Sequence, residues 1–308
     1  METRKLYYED PFQKGFATTV VSCDAVKGGY AVVLAETAFY PEGGGQPYDT
    51  GVLGEANVLE VHEKNGVITH LCDKTFEVGK SVSGKIDWAR RFDHMQQHSG
   101  EHICSGLICE RFHCDNVGFH MGADVVTIDF NADISWDELM EIEQLANLYI
   151  YEDHPIDIQF YRGAELDKVE YRSKKPLEGD VRIVSFPGAD CCACCGTHVV
   201  RSGQVGLVKF LSVQKFRDGV RIELLSGKRA HRYLSECWAQ DVRIAQALSV
   251  KPNASFAGVE RVLAELSALK QRCAKLEESV FAQTAVQYEG KGDVLLFEDE
   301  MSGDSLRK

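Results

Sequence analysis

No apolar run in the chain approaches the roughly 20 residues that a helix needs to cross a bilayer, and no N-terminal stretch joins a basic segment, an apolar run and a small-residue cleavage site. Those absences argue against a helical membrane anchor and a secretory leader, and the protein is expected to be cytoplasmic. Positive charge is also scarce. Lys and Arg number 34 against 47 Asp and Glu, a formal net charge of −13. That balance argues against a protein that holds nucleic acid by bulk electrostatics, because such domains are usually basic. Local clusters remain: Arg90 and Arg91; Arg172, Lys174 and Lys175; then Lys215, Arg217, Arg221, Lys228 and Arg229. Singly each reads as a solvated face; together they suit weak, salt-sensitive contact with a few phosphates. A disulfide framework is not expected either. The 11 cysteines are an odd number in a long chain without a leader, which points to reduced thiols.

What is present is an ordinary globular composition, 44% hydrophobic and 26% charged, and 308 residues suffice for two or three domains with a substantial core. The fold class expected is α+β. From Phe16 to Trp88, short β-rich runs separated by Gly, Asp and Asn turns predict a small barrel or sandwich over residues 1–88. Within it FYPEGGGQPYDTG carries Gly43, Gly44 and Gly45, which can adopt backbone angles closed to other residues and bring main chain and Gln46 close to a neighbour. A plain flexible turn has the same glycine content.

Residues 89–227 read as a central α/β unit. A helix is predicted over 92–112, strands near 117–119 and 125–130, and a helix from Ser135 to Tyr151 opened by a Ser135/Glu138 capping box. The strands IDIQFY, VRIVSF, GLVKFLSV and GVRIELL follow. Residues 228–288 predict a helical hairpin or a coiled coil with another chain. Lys251-Pro252-Asn253 breaks the helices, and Val259, Val262, Leu266, Leu269, Cys273, Leu276 and Val280 step by threes and fours. Residues 289–308, with the strand-like VLLF, read as the truncated start of a further element.

Chemistry concentrates in two places. His98 and His102 in QHSGEH are four residues apart, so on a helix they stack on one face. Far along the chain, CCGTH places Cys194 and His198 on either side of a turn. Histidines at this spacing are common without a metal; the second pair is what makes a joint site. Two imidazoles with a thiolate and a further imidazole form a borderline-soft tetrahedral set suited to Zn²⁺. The rival is the cluster Cys191, Cys192, Cys194 and Cys195, whose overlapping C-x-x-C spacings suit thiol redox chemistry or an all-thiolate site. At about 100° per residue, Glu101 is expected to point away from the His98/His102 face, and His94, one turn earlier, to be solvated. Cys104 and Cys109 read as small buried apolar residues.

The GGGQ loop, RRFDHMQQHSGEH and CCGTHVVRSGQVG together resemble the alanyl-tRNA editing proteins, the AlaX family, related to the editing domain of alanyl-tRNA synthetase, over nearly the whole chain. One departure is Cys195, where the family's CGGTH carries glycine; it bears on the turn and offers an alternative thiolate. The resemblance implies zinc bound by His98, His102, Cys194 and His198. It also implies a tRNA partner, alanine tRNA mischarged with serine or with glycine, and ATP-independent ester hydrolysis. Candidate catalytic residues are then Gln46, His98 and His102. Candidate substrate-binding residues are Gly43, Gly44, Gly45, Gln46, Phe119 and His120. The C-terminal helices resemble the family's coiled-coil arm, which suggests a homodimer. The competing reading is a non-catalytic RNA-binding or dimerisation module with a structural zinc.

Overall fold

A computed structural model of the chain describes residues 2–173 and 179–295. Lys174, Lys175 and the stretch 296–308, most of the predicted C-terminal element, lie outside the described residues. Two compact units are present, Met1–Tyr233 and Leu234–Lys308.

In the first unit, β1 (Arg4–Lys5) pairs in parallel with β4 (Glu36–Thr37), and a single helical turn, α1 (Leu6–Glu9), follows β1. The strands β2 (Gly15–Val26), β3 (Gly29–Leu34), β5 (Gly51–Leu53), β6 (Ala56–Lys64), β7 (Val67–Cys72) and β8 (Ser81–Ile86) close into a barrel in the order β2-β3-β7-β6-β5-β8. The two-residue alternation of β2 turns Phe16 and Val20 inward, where they meet Val32, Leu34, Leu53, Val61 and Ile68.

After the barrel comes α2 (Trp88–Phe112), capped by Asp87, whose side chain accepts from the Arg90 amide. Most of its residues are buried, so it is a core helix rather than an amphipathic surface one. Met95, Ile103, Cys104 and Ile108 pack against Met121, Val126, Ile128 and Phe130, each such burial stabilising by roughly 1.5–3 kcal/mol for a full-sized side chain. Arg91, expected in a basic patch, is instead fully buried: it pairs with Asp49 and donates to the carbonyls of Ala38 and Pro11, fastening the helix to the barrel. A buried guanidinium without that carboxylate would be strongly destabilising.

One sheet runs β14-β15-β10-β9, with β9 (Asn116–Met121), β10 (Val126–Phe130), β14 (Val208–Phe216) and β15 (Gly219–Ser226); another runs β11-β12-β13, with β11 (Asp157–Arg162), β12 (Asp180–Phe186) and β13 (Asp190–Ala193). Every pairing in both is antiparallel. The region expected as α/β is therefore α+β, because the short turns between β12 and β13 and between β14 and β15 make hairpins rather than crossovers. α3 (Trp136–Tyr151) opens with the Ser135/Glu138 capping box. Gly106 lets the β12–β13 turn approach α2: a Cβ there would stand 2.0 Å from the Ala189 carbonyl oxygen. That approach sets Asp190 beside the helix.

α4 (Gly227–Ala247) leads into the second unit, which continues with α5 (Ser255–Gln287). The heptad seam of α5 is exposed, Leu266 by 45% and Leu269 by 57%. No helix among the described residues is long and apolar enough to cross a membrane.

Candidate metal centre

The two halves of the site are a rigid helix and a turn pinned from both sides. On α2, His98 and His102 lie with ring centroids 5.2 Å apart. The turn after β13 is held by the Cys194 amide donating to the Arg182 carbonyl at 3.1 Å, by the Arg182 guanidinium donating to the Cys194 carbonyl at 2.7 Å, and by the Tyr8 hydroxyl donating to the Cys195 carbonyl at 3.0 Å. Gly196 packs directly on His98, since a Cβ there would stand 2.1 Å from the ring.

The result brings His98, His102, Cys194 and His198 together, one donor atom from each lying within 4.8 Å of the others, a group able to hold a metal ion. Cys194 Sγ is 3.5 Å from His98 Nε2 and 3.3 Å from His198 Nε2. A tetrahedron with Zn–S and Zn–N bonds of ordinary length has an S···N edge of about 3.6 Å. The far nitrogens are engaged: His98 Nδ1 donates to Gln46 Oε1 (2.9 Å), His102 Nδ1 to Asp190 Oδ2 (2.8 Å) and His198 Nδ1 meets Ser99 Oγ (3.2 Å). Each imidazole is thereby turned to face the cluster with Nε2, as metal-ligating histidines are.

Electrostatics match the donor chemistry. Burial alone would push the Cys194 thiol up, but His98, His198 and His102 outweigh it and hold it well below the usual thiol range. Burial holds His198 down to about 3, against the pull of Cys194. His102 stands well above the ordinary imidazole value because Cys194 and Asp190 outweigh burial. Asp190 is also gripped by Arg172, at 2.7 and 2.8 Å, and stays lowered despite burial. The site thus offers a thiolate among imidazoles, the ligand set of a borderline-soft cation.

Beside the cluster opens a cleft of about 310 Å³ whose walls include Gly44, Glu101, Asn116, Phe119, Arg172 and Cys192. Phe119 stacks on His98, centroids 5.0 Å apart. His120, its neighbour on β9, is exposed on the other strand face and does not line the cleft, as two-residue alternation requires. Gly44 and Gly45 take positive φ angles of 58° and 83°, and Gly45 abuts the Phe119 ring, so the glycine loop is a shaped turn; Gly43 is bridged to Gln46. Gln46 itself is fully buried behind His98 rather than lining the cleft. Its oxygen accepts from His98 Nδ1 and the Thr197 amide, and its nitrogen donates to Thr197 Oγ1.

Glu101 departs from expectation. It is 4% exposed and lines the cleft, its Oε1 accepting from Ser105 and Asn116 while Oε2 lies 4.0 Å from His102 Nε2. Three helical steps amount to about −60°, close to the histidine face rather than opposite it. His94 is buried, not solvated. Asp190, Arg172 and Asn116 carried no spacing signal; they arrive through tertiary structure. Cys195 Sγ lies near Gly44 and 3.9 Å from the Tyr40 hydroxyl, outside the four-donor group. All 11 cysteines are free, and burial pushes Cys192 up to about 11, away from a reactive thiolate.

Two family models match the chain. One, described as tRNA synthetases class II (A), covers residues 12–90, the barrel and its glycine loop; the other, the threonyl and alanyl tRNA synthetase second additional domain, covers 181–223, including the Cys194–His198 turn. The chain is 31% identical to the alanyl-tRNA editing protein AlaX-L of Pyrococcus horikoshii, with 97% of this chain and 75% of that protein covered. With the alanyl-tRNA editing protein Aarsd1-A of Xenopus laevis the identity is 29%, covering 92% of this chain and 73% of that protein. An alanine–tRNA ligase of Pyrococcus abyssi is 35% identical over all of this chain and 35% of its own length. The chain thus spans about a third of such ligases.

Proposed function

This chain belongs to the alanyl-tRNA editing proteins, and from that membership we propose that it is a trans-acting, zinc-dependent deacylase that hydrolyses the ester of alanine tRNA mischarged with serine, glycine being the second candidate. Such an activity answers a physical need. A synthetase pocket sized for alanine discriminates weakly against a smaller residue or one added hydroxyl, so correction follows charging.

The observation that carries the reading is the convergence of His98, His102, Cys194 and His198 beside a cleft of about 310 Å³. These four would hold the zinc, which when bound supplies Lewis acidity toward an ester carbonyl and an anchor for polar substrate groups. The chain's own residues do the rest. Glu101 presents a carboxylate, and Asn116 Oδ1 is buried without a hydrogen-bond partner among the described residues; both residues border the cleft and offer acceptors suited to a substrate ammonium or hydroxyl. Phe119 and Gly44 contribute an apolar wall. Gln46 positions His98 and the Thr197 turn without touching substrate, which replaces the catalytic role expected of it.

In this reading residues 1–88 are the barrel with the GGGQ loop, 89–227 the editing region and 228–288 a helical arm; the protein works in the cytoplasm. The exposed seam on α5 supports a homodimer through the arm. One observation favours the second reading, a structural zinc in a non-catalytic RNA-binding module: four protein donors complete a tetrahedral shell. The deciding experiment measures release of amino acid from seryl-, glycyl- and alanyl-tRNA alongside bound zinc. Hydrolysis of the seryl ester with the alanyl ester spared supports the deacylase; no hydrolysis of any of the three overturns it.

A further inference from the structure

Four of the clustered cations are engaged in structural pairs remote from one another: Arg91 with Asp49, Arg172 with Asp190, Arg221 with Asp129 and Lys215 with Asp133. A second set, in which Arg229 is itself paired with Asp93, converges. Arg90 on α2 and Lys228, Arg229 and Arg232 at the start of α4 line one cleft of about 420 Å³, separate from the cleft at the metal centre. Asp93 is the one carboxylate among its lining residues, so four cations face it in a chain of net charge −13. Asp93 grips Arg229 at 2.6 Å, and Arg229 also donates to the Gly122 carbonyl at 2.7 Å, which fixes that guanidinium in the wall. His94 lines the same cleft; it is 3% exposed, and its Nδ1 is buried with no hydrogen-bond partner among the described residues. Four cations set against the single carboxylate of Asp93 make this cleft suited to an anion.

The position is as telling as the charge. His94 precedes His98 by one turn of α2, about 6 Å along the axis. Pro47 in this cleft follows Gln46, and Gly122 follows β9, which carries Phe119. The same three segments therefore wall both clefts.

We propose that this basic cleft binds a backbone phosphate of the RNA strand whose aminoacylated 3′ end enters the cleft at the metal centre, an assignment that rests on the deacylase reading above. It also explains how so acidic a chain holds a polyanion, by one local patch rather than by bulk charge.

The test is fluorescence anisotropy of the full chain with an RNA hairpin bearing a single-stranded 3′ extension, from low to physiological salt. Lys228→Gln and Arg232→Gln change exposed side chains and are checked for an unaltered unfolding midpoint. Each is expected to weaken binding about tenfold at low salt and to reduce the slope of log Kd against log salt by about one per lost phosphate contact. Lys215→Gln, paired with Asp133 outside the cleft, is expected to change neither. Unchanged slopes in the two cleft variants, an equal loss in Lys215→Gln, or a hairpin that competes no better than inorganic phosphate would each overturn the assignment. Cleft-dependent binding in a protein that hydrolyses none of the three aminoacyl-tRNAs leaves the phosphate site standing and sinks the deacylase. Normal hydrolysis with indifferent cleft variants does the reverse.

Discussion

Gln46 Oε1 accepts from His98 Nδ1 at 2.9 Å and from the Thr197 amide at 3.0 Å, so one buried amide ties the histidine helix to the turn that carries Cys194 and His198. Gln46→Ala would leave His98 free to rotate and the turn unbraced. Zinc affinity should fall by about 10- to 100-fold, the usual consequence of losing an outer partner of a ligating histidine. Competition with a chromophoric chelator measures it; an affinity equal to that of the unmodified protein would show that Gln46 positions nothing.

Removing a donor outright is more severe. His98→Ala and His198→Ala should each abolish zinc retention and turnover together, and sustained turnover in metal-free His98→Ala would contradict the proposed role. Stripping the metal from the intact chain separates the two readings of the centre. A folded but inactive apo-protein, judged by circular dichroism, supports zinc acting on substrate; loss of the fold supports a structural ion.

For Glu101 the informative change is Glu101→Gln, which keeps an acceptor for Ser105 and Asn116 and removes the charge. Zinc content should stay at that of the unmodified chain, while kcat/KM for the seryl ester falls by about 10- to 100-fold, the scale of one charge-assisted hydrogen bond. Equal loss of zinc and activity would make Glu101 a support for the metal centre instead.

The four donors were legible because an i,i+4 histidine pair and a C-x-x-x-H turn occur in one chain, although either alone is common without a metal, and a barrel or sandwich was legible from short β-rich runs between turn residues. Asp190 and Arg172 were not, since nothing local says that a β-hairpin will press an aspartate against His102. Glu101 was misread through its angle: at about 60° from His98 it shares the histidine side of a helix buried nearly all round. Arg91 was placed on a basic surface because charge patterns cannot reveal a buried partner such as Asp49.

The exposed seam of α5 makes a prediction about assembly. If a second copy covers it, Leu266→Glu with Leu269→Glu, at positions 45% and 57% exposed in the single chain, should convert a dimer to a monomer in sedimentation velocity while leaving the unfolding midpoint of the first unit in place. A monomer before and after the change removes the proposed dimer.

Acid should weaken the barrel through His70, which is fully buried, donates from Nδ1 to the Val32 carbonyl and accepts at Nε2 from the Thr37 hydroxyl. Burial holds its pKa down to about 4 from 6.5, the Val32 contact opposing only in part. Above pH 6.5 the ring is neutral both folded and unfolded, and the native contacts are intact. As pH falls below that value the unfolded chain takes up the proton first, so stability is lost progressively down to the folded pKa near 4, by about 3 kcal/mol over the interval. Urea unfolding at pH 7.5 and at pH 4.5 should show the loss, and His70→Gln, which cannot titrate, should show a smaller one. An identical pH dependence in the variant would mean that carboxylates elsewhere, not this imidazole, set the acid limit of the fold.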